Sequence, residues 1–409
     1  MCSKFRSRPN ILLSAYCVDN NDVSEAQMAY EWISRLSEFV NLWVITTGSR
    51  LHDKCGLEEL PNITLVELKP MLNYKKFDRF DRAVHPGYYE FYLRAKKVAQ
   101  KILKKERIDL CHHLTPQSVR FPSPFAGCSS PFIIGPLHGG LRSPGVMKEM
   151  GGKEGLLFKL RLFDDIRRKC DPGIRKTFKY ADKVVISAPY MQDVVSIDNG
   201  DKYRLIPGTA VPLLDISSQR NESGSVNFIF VGRIVPSKGI ELLVEALAKC
   251  KTTKGIVTVY GRGEVEQYCK DLARRLDVNY RIRWMGFVDQ EEVYKGYSKA
   301  DVFILPSLKE PTGGAVLEAM SAGLPVICVD TAGPAYAVDS KSGIKVALGN
   351  KETMIAELVQ AIEFMVEHPR ERQEMGRNAR QRVRDHFTWD AVVEKMLSVY
   401  EEVIHENKK

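Results

Sequence analysis

At 409 residues the chain is longer than one compact core usually fills, so two or three domains are expected. Apolar residues make up 44% and charged residues 27%, as in an ordinary globular protein, and no apolar run reaches the roughly 18 to 20 residues that span a bilayer. The net charge of +9 is unevenly shared: residues 1–208 carry 33 Lys/Arg against 23 Asp/Glu, whereas residues 209–409 carry 27 against 28. The excess gathers in "YKKFDRFDR", "RAKKVAQKILKKER" and "FKLRLFDDIRRKCDPGIRKTFK". Solvated helix faces are the plain reading of these runs, and a face for an anionic membrane surface or a phosphorylated substrate is the sharper one. No aromatic-basic signature accompanies them, which argues against nucleic acid.

The chain opens "MCSKFRSRPNILLSAYCV", basic and then apolar like a leader. Ser14 and Tyr16 interrupt the apolar part and no small-residue cleavage site follows, so a first core strand is expected. Nine cysteines form no C-x-x-C pair and no Cys/His cluster; they read as reduced thiols of a cytosolic protein, neither a disulfide framework nor a zinc site.

In chain order, "NILLSAYCV" is predicted as a strand, "SEAQMAYEWISRLSEF" as a helix with Ser24 and Gln27 as a capping box, and "NLWVITTG" and "NITLVEL" as strands. "YYEFYLRAKKVAQKILKKE" follows as a long helix, then "DLCHHLT", "PFIIGPL" and "KVVISA" as buried strands. The pattern then restarts. "VNFIFVGR", "GIVTVYG", "IRWMGF", "DVFILPS" and "PVICVD" read as strands. Between them lie helices "GIELLVEALAKC", "EVEQYCKDLARRL", "QEEVYKGYSKA" and "GAVLEAMSAG". Residues 368–409 read as helical with a break near Phe387 and Thr388. Apolar strands alternating with amphipathic helices predict parallel sheets covered on both faces. "IPGTAVPLLDISSQRNESGSV" has no apolar periodicity and is the best linker, so the expected domains are 1–208, 209–385 and a C-terminal helix, 386–409, packing back on the first. The fold class expected is α/β, two doubly wound domains facing across a cleft.

Chemistry concentrates in "LPSLKEPTGGAVLEAMSAGLPV", residues 305–326. Glu310 stands at the mouth of a strand and Glu318 about one turn into the next helix, with Gly313 and Gly314 between them. Ligands of doubly wound sheets bind at the carboxyl ends of strands. Bare amides at a helix start make an anion seat suited to a diphosphate. A carboxylate inside the helix can accept bonds from vicinal ribose hydroxyls, leaving Glu310 for the hydroxyls of a donor sugar. "VGRIVPSKGI" adds Arg233 and Lys238 at another strand-to-helix junction, two cations that would neutralise a diphosphate and its growing charge on departure. "YGRGEVE" supplies a further glycine turn, Gly261 and Gly263.

From Val226 to about Val346 these pieces, with "MGFVDQEEVYKGYSKADVFILPSLKEPTGGAVLEAMSAGLPVI" and "TAGPAYAV", strongly resemble the retaining glycosyltransferases of family 4, which have the GT-B fold. The first half resembles that family more loosely, through "SAYCVDNNDVSEAQMAYEW", "CHHLTPQSVRFPSPF" and "PFIIGPLHGG". The resemblance implies that Arg233 and Lys238 bind the donor diphosphate, Glu318 the ribose and Glu310 the transferred sugar. It implies donor contacts from Gly232, Gly261, Gly313, Gly314 and Leu317, and backbone contacts to a uridine- or guanosine-type base at Met285, Gly286 and Phe287. His138 of "GPLHGG" takes the place of a histidine facing the transferred sugar, with His113 as the fallback. The donor is a substrate, so no cofactor is expected, and no metal, since the one D-x-D-like string, "DRFDR", reads as surface. The acceptor implied is a hydroxyl-bearing glycan, lipid-linked compound or small molecule.

Two departures stand out. Pro311 and Thr312 follow the first glutamate where the family has a small residue and an aromatic, and proline removes a backbone donor there. The loop after the first strand has Asn20, Asn21 and Asp22 in place of glycines. Rival readings are a nucleotide-sugar 2-epimerase, for which the first half offers no convincing acid/base set, and a non-catalytic scaffold, whose mark would be loss of Arg233, Lys238 or the glutamates. An NAD-linked oxidoreductase lacks its G-x-G-x-x-G.

Overall fold

The computed structural model describes residues 7–22, 25–49, 52–71, 86–149, 170–196, 200–215 and 224–408. Ser24 of the predicted capping box, the 74–82 basic run with its "DRFDR", residues 158–169 of the third basic run and much of the predicted linker lie outside them. The chain divides into two compact units: Met1–Gly140, Glu154–Gly208 and Val392–Lys409 form one, and Leu141–Lys153 with Thr209–Ala391 the other.

The first unit begins with β1 (Asn10–Ala15), α1 (Glu25–Leu36), β2 (Asn41–Thr46), β3 (Ile63–Glu67) and α2 (Pro86–Lys105). It continues through β4 (Leu110–Thr115) and β5 (Phe132–Leu137). After the short α3 (Val146–Glu149), which belongs to the second unit, come α4 (Pro172–Tyr180), β6 (Lys183–Ile186), α5 (Met191–Val195) and β7 (Tyr203–Leu205). All seven strands pair in parallel, in the order β3-β2-β1-β4-β5-β6-β7. Every residue of β4 and β5 is buried, as strands covered on both faces must be.

The second unit runs β8 (Val226–Val231), α6 (Ile240–Lys249), β9 (Gly255–Tyr260), α7 (Glu266–Arg275), β10 (Ile282–Gly286), α8 (Gln290–Lys299), β11 (Val302–Leu305) and α9 (Gly314–Ser321). Then follow β12 (Val326–Val329), α10 (Ala332–Ala337), β13 (Gly343–Val346), α11 (Lys351–Glu367), α12 (Pro369–His386) and α13 (Trp389–Glu406). The parallel order is β10-β9-β8-β11-β12-β13. Local chemistry explains the helix starts. Asp289 accepts from the Glu292 amide before α8, Asn350 from the Thr353 amide before α11, and Pro369 opens α12 without losing a needed donor. The predicted break near Phe387 is where α12 ends.

Sequence periodicity did not predict β7, α10, β13 or α11. The two strands are three and four residues long at the sheet edges, too short for a period to show. The last helix crosses back: Tyr400, fully buried, donates its hydroxyl to Nδ1 of His112 on β4 at 2.6 Å. Glu402 pairs with Lys183 at 2.9 Å and with Arg204, and Glu406 pairs with Lys183 at 3.2 Å.

In both sheets the first strand is central. The chain winds outward to one side and then returns to the other, so a switch point falls between β1 and β4 and again between β8 and β11.

Candidate functional site

Arg233 follows β8 and Glu310 follows β11, so the second unit's switch point has one on each flank. Three loops are drawn together there by backbone contact. The Gly232 amide donates to Tyr260 O at 3.0 Å and the Ile234 amide to Arg262 O at 2.9 Å. A Cβ at Gly261 would stand 1.9 Å from Gly232 O, and one at Gly263 2.0 Å from Ile234 O, so only glycine permits the approach. A 3₁₀ turn at Pro236–Lys238 precedes Gly239, which starts α6 at a φ of +67° and where a Cβ would stand 2.1 Å from Pro306 O. The Leu308 amide and the Ser307 hydroxyl both donate to Ser237 O, at 2.8 and 3.1 Å.

That stitching brings together residues 72 apart in sequence: Lys238 Nζ is ion-paired to Glu310 Oε2, with the two side chains only 17% and 13% exposed. The other Glu310 oxygen takes a long bond from the Gly313 amide, 3.4 Å. Gly313, at φ +74°, starts α9 without a side-chain cap, and a Cβ on Gly314 would meet nothing within 4 Å. Space is therefore open around Gly314 at this helix start beside the ion pair, and the positive end of the helix favours an anion. Arg233 is exposed, and its guanidinium makes no ion pair among the described residues.

Glu318 is half-buried on the same helix. Burial pushes its carboxyl up, and the hydrogen bond that Tyr297 of α8 donates to Oε2 at 3.3 Å opposes that shift. Leu317 does not join this surface: it is 1% exposed in the core, and its amide closes the first helical turn on Gly313 O. Met285 and Phe287, 50% and 77% exposed, flank Gly286 at the end of β10, and the Gly286 carbonyl accepts from the Gly261 amide at 2.8 Å.

The predicted residues of the first unit sit differently. The His138 amide donates to Gln117 O at 2.9 Å, and burial pushes its ring down to about 4, so it is neutral at pH 7. Gly139 and Gly140 follow at φ +93° and +70°. His113 is fully buried and pushed down to about 3 by burial; the Pro116 backbone favours its charged form slightly without meeting hydrogen-bond geometry. His112 is pushed to about 4; the Gly135 carbonyl, 2.7 Å away, can only accept, which puts the ring proton on Nε2 and leaves Nδ1 to receive Tyr400. Asn21 donates its amide to Asp19 at 2.8 Å and its side chain to Asn20 at 2.9 Å.

Sequence reasoning passed over three features. Tyr297 carried only a helical-core signal. Gly333 packs the start of α10 against the Pro311-Thr312 loop, where a Cβ would lie 2.5 Å from Thr312 C, and its amide donates to Glu310 O at 3.1 Å. Its "TAGP" setting after a strand was the available clue. Asp19 is buried; desolvation raises its carboxyl, but bonds from Ser49, from His52 Nδ1 at 2.9 Å and from Asn21 outweigh that and hold it low. Nothing in the spacing links Asp19 to His52.

Among the described residues, no group of three His, Cys, Asp or Glu side chains is arranged to hold a metal, and no helix is long and apolar enough to cross a membrane.

With this geometry in view, residues 215–382 match the family described as glycosyl transferases group 1. An uncharacterized glycosyltransferase of Methanocaldococcus jannaschii is 28% identical over 242 residues, 55% of this chain and 60% of that one. A D-inositol 3-phosphate glycosyltransferase of Corynebacterium diphtheriae is 30% identical over 265 residues, 58% and 59% of the two chains. The chain thus spans about three fifths of the length of these curated relatives. The sucrose-phosphate synthase structure from Thermosynechococcus elongatus superposes with a TM-score of 0.65 at 19% identity, over 98% of this chain and 100% of that one. The likeness is one of fold: two parallel sheets of seven and six strands with helices, the GT-B class.

Proposed function

We propose that the protein transfers a sugar, with retention, from a nucleoside diphosphate to a hydroxyl of a glycan, lipid-linked or small-molecule acceptor, without a metal. The observation that carries this reading is the Lys238–Glu310 ion pair beside the uncapped start of α9, with Glu318 one turn further on. A donor is long, and these groups follow the same order: ribose at Glu318, diphosphate at the Gly313 and Gly314 amides with Arg233 and Lys238, sugar at Glu310. The base lies against the Met285–Phe287 backbone, with Gly232 and Gly261 shaping the loops between.

The ammonium of Lys238 and the carboxylate of Glu310 satisfy each other. An arriving diphosphate gives Lys238 a doubly charged partner and releases Glu310 to accept sugar hydroxyls. The bond from the anomeric carbon to the phosphate oxygen then breaks, and the acceptor oxygen bonds to the same face. The departing phosphate oxygen takes the acceptor's proton. Neither glutamate forms a covalent intermediate; catalysis rests on stabilising the leaving charge, the task of Arg233, Lys238 and the helix start. His138, neutral at pH 7, would serve the transferred sugar as a hydrogen-bond partner rather than a cation. The first unit, 1–208, would bind the acceptor.

The test is a panel of nucleotide sugars and acceptors with the anomer of the product read by NMR. Retention with full activity in excess EDTA is expected. An inverted product, a covalent sugar on Glu310, or activity restored only by a divalent ion would defeat the reading. Glu318→Ala should raise the donor KM more than it lowers turnover.

A further inference from the structure

We infer that Tyr297 is a positioning residue for nucleotide binding: its buried hydroxyl fixes one oxygen of Glu318 so that the other meets the ribose of a nucleoside diphosphate. The inference rests on the ribose-seat reading of Glu318 proposed above.

Tyr297 is 1% exposed and cannot touch a ligand itself. Its ring is locked against Phe303 of β11, centroids 6.2 Å apart at 66°, and against Tyr294 at 6.3 Å. Gly296 beside it brings α8 so close to β9 that a Cβ would stand 2.9 Å from the Tyr260 ring. The hydroxyl is thus held by the packing of three elements, and it donates to Glu318 Oε2 at 3.3 Å. No hydrogen bond to Glu318 Oε1 is recorded among the described residues.

Two consequences follow from elementary chemistry. A carboxylate free to rotate loses side-chain entropy on binding, and one pre-set by a neighbour loses less. A half-buried carboxyl is also drawn toward its neutral form, which offers one acceptor fewer to a pair of ribose hydroxyls. The Tyr297 hydrogen bond favours the ionised form and keeps both roles available. A tyrosine serving only as core filler would also need an acceptor, because burying its hydroxyl unpaired is unfavourable. Geometry alone does not separate the two roles; titration does.

The experiment is calorimetric binding of uridine diphosphate and guanosine diphosphate to the full-length protein, using whichever binds, from pH 5 to pH 8. The variants are Tyr297→Phe, Glu318→Ala and the double variant. Tyr297→Phe keeps the ring and its packing, so the fold should survive; a thermal melt checks it. It should weaken binding about tenfold, the scale of one hydrogen bond to a charged group. The ratio of wild-type to variant affinity should be largest at low pH and shrink as pH rises. Losing the donor raises the Glu318 carboxyl further, so protonation persists to higher pH, and the ligand's own titration cancels in the ratio. In the Glu318→Ala background, Tyr297→Phe should change nothing.

A ratio independent of pH, or an undiminished effect in the Glu318→Ala background, would overturn the inference while leaving the ribose seat standing. Should Glu318→Ala bind as tightly as wild type, the ribose seat itself falls, and the role of Tyr297 with it.

Discussion

The strands β4 and β11 hold the same place in their sheets, each next to the central first strand across the switch point. β4 carries two histidines inside the sheet, His112 and His113, both fully buried. β11 is wholly apolar, and its unit's charges wait in the loops beyond, where Lys238 and Glu310 pair and Arg233 stays exposed. Burial in the strand costs the histidines their charge, whereas position after the strand lets the second unit keep ionised side chains in its loops. One topology therefore serves two electrostatic ends, and the difference lies a few residues along the chain.

The sharpest way to break that contrast is to truncate one side chain on each side of it. Lys238→Ala should lower turnover by ~10²–10³, about 2.7 to 4 kcal/mol of barrier, as for a lost oxyanion donor, with little change in melting temperature. Steady-state kinetics and a melt on the same sample decide this; an unstable but fully active variant would mean that the ion pair is structural. His112→Ala should do the reverse. It leaves the Tyr400 hydroxyl and the Gly135 carbonyl without their partner and opens a cavity, so a loss on the order of 3 kcal/mol in denaturant unfolding is expected, with turnover per folded molecule unchanged.

Smaller effects should appear in the pH dependence of stability, and in opposite directions. His112, about 4 in the folded unit against roughly 6.5 unfolded, contributes stability that is full above pH ~6.5 and lost as pH falls toward 4. In the second unit, burial pushes Glu241 of α6 up to about 7, with Glu245 reinforcing and Lys351 opposing the shift. Its contribution is full below about pH 4.5 and is lost as pH rises through 7. Unfolding of the wild type, His112→Leu and Glu241→Gln across pH 4.5 to 8 should remove the acid-side loss in one variant and the neutral-side loss in the other. Identical pH profiles for all three would end the comparison.

The smallest expected effect concerns the surface. α2 exposes Lys97, Lys101, Lys104 and Lys105 along with Leu93, 58% exposed. If this face meets anionic lipid, vesicles containing phosphatidylserine should bind at low salt and release steeply as salt rises. Equal binding to neutral vesicles would leave these lysines as solvated surface.

Much of the site was legible in sequence because each motif is local. A strand end, a glycine pair and a helix start within about a dozen residues fix where Glu310, Gly313 and Glu318 stand relative to one another. The alternation of apolar strands with helices likewise determined the parallel, doubly wound class. Leu317 shows the limit: it lies inside the motif but faces the core, because a helix turns consecutive residues to different sides. Tertiary structure alone decided which distant residues meet. Lys238 reaches Glu310 across 72 positions because β8 and β11 are neighbours in the sheet, and Gly333 closes on the Pro311 loop because β12 follows next. Tyr297 stands behind Glu318 through the packing of α8, and Tyr400 meets His112 across 288 positions because the last helix returns to the first sheet. Sequence periodicity records which face of an element is buried, but partners are chosen by strand order and by backbones close enough to need glycine.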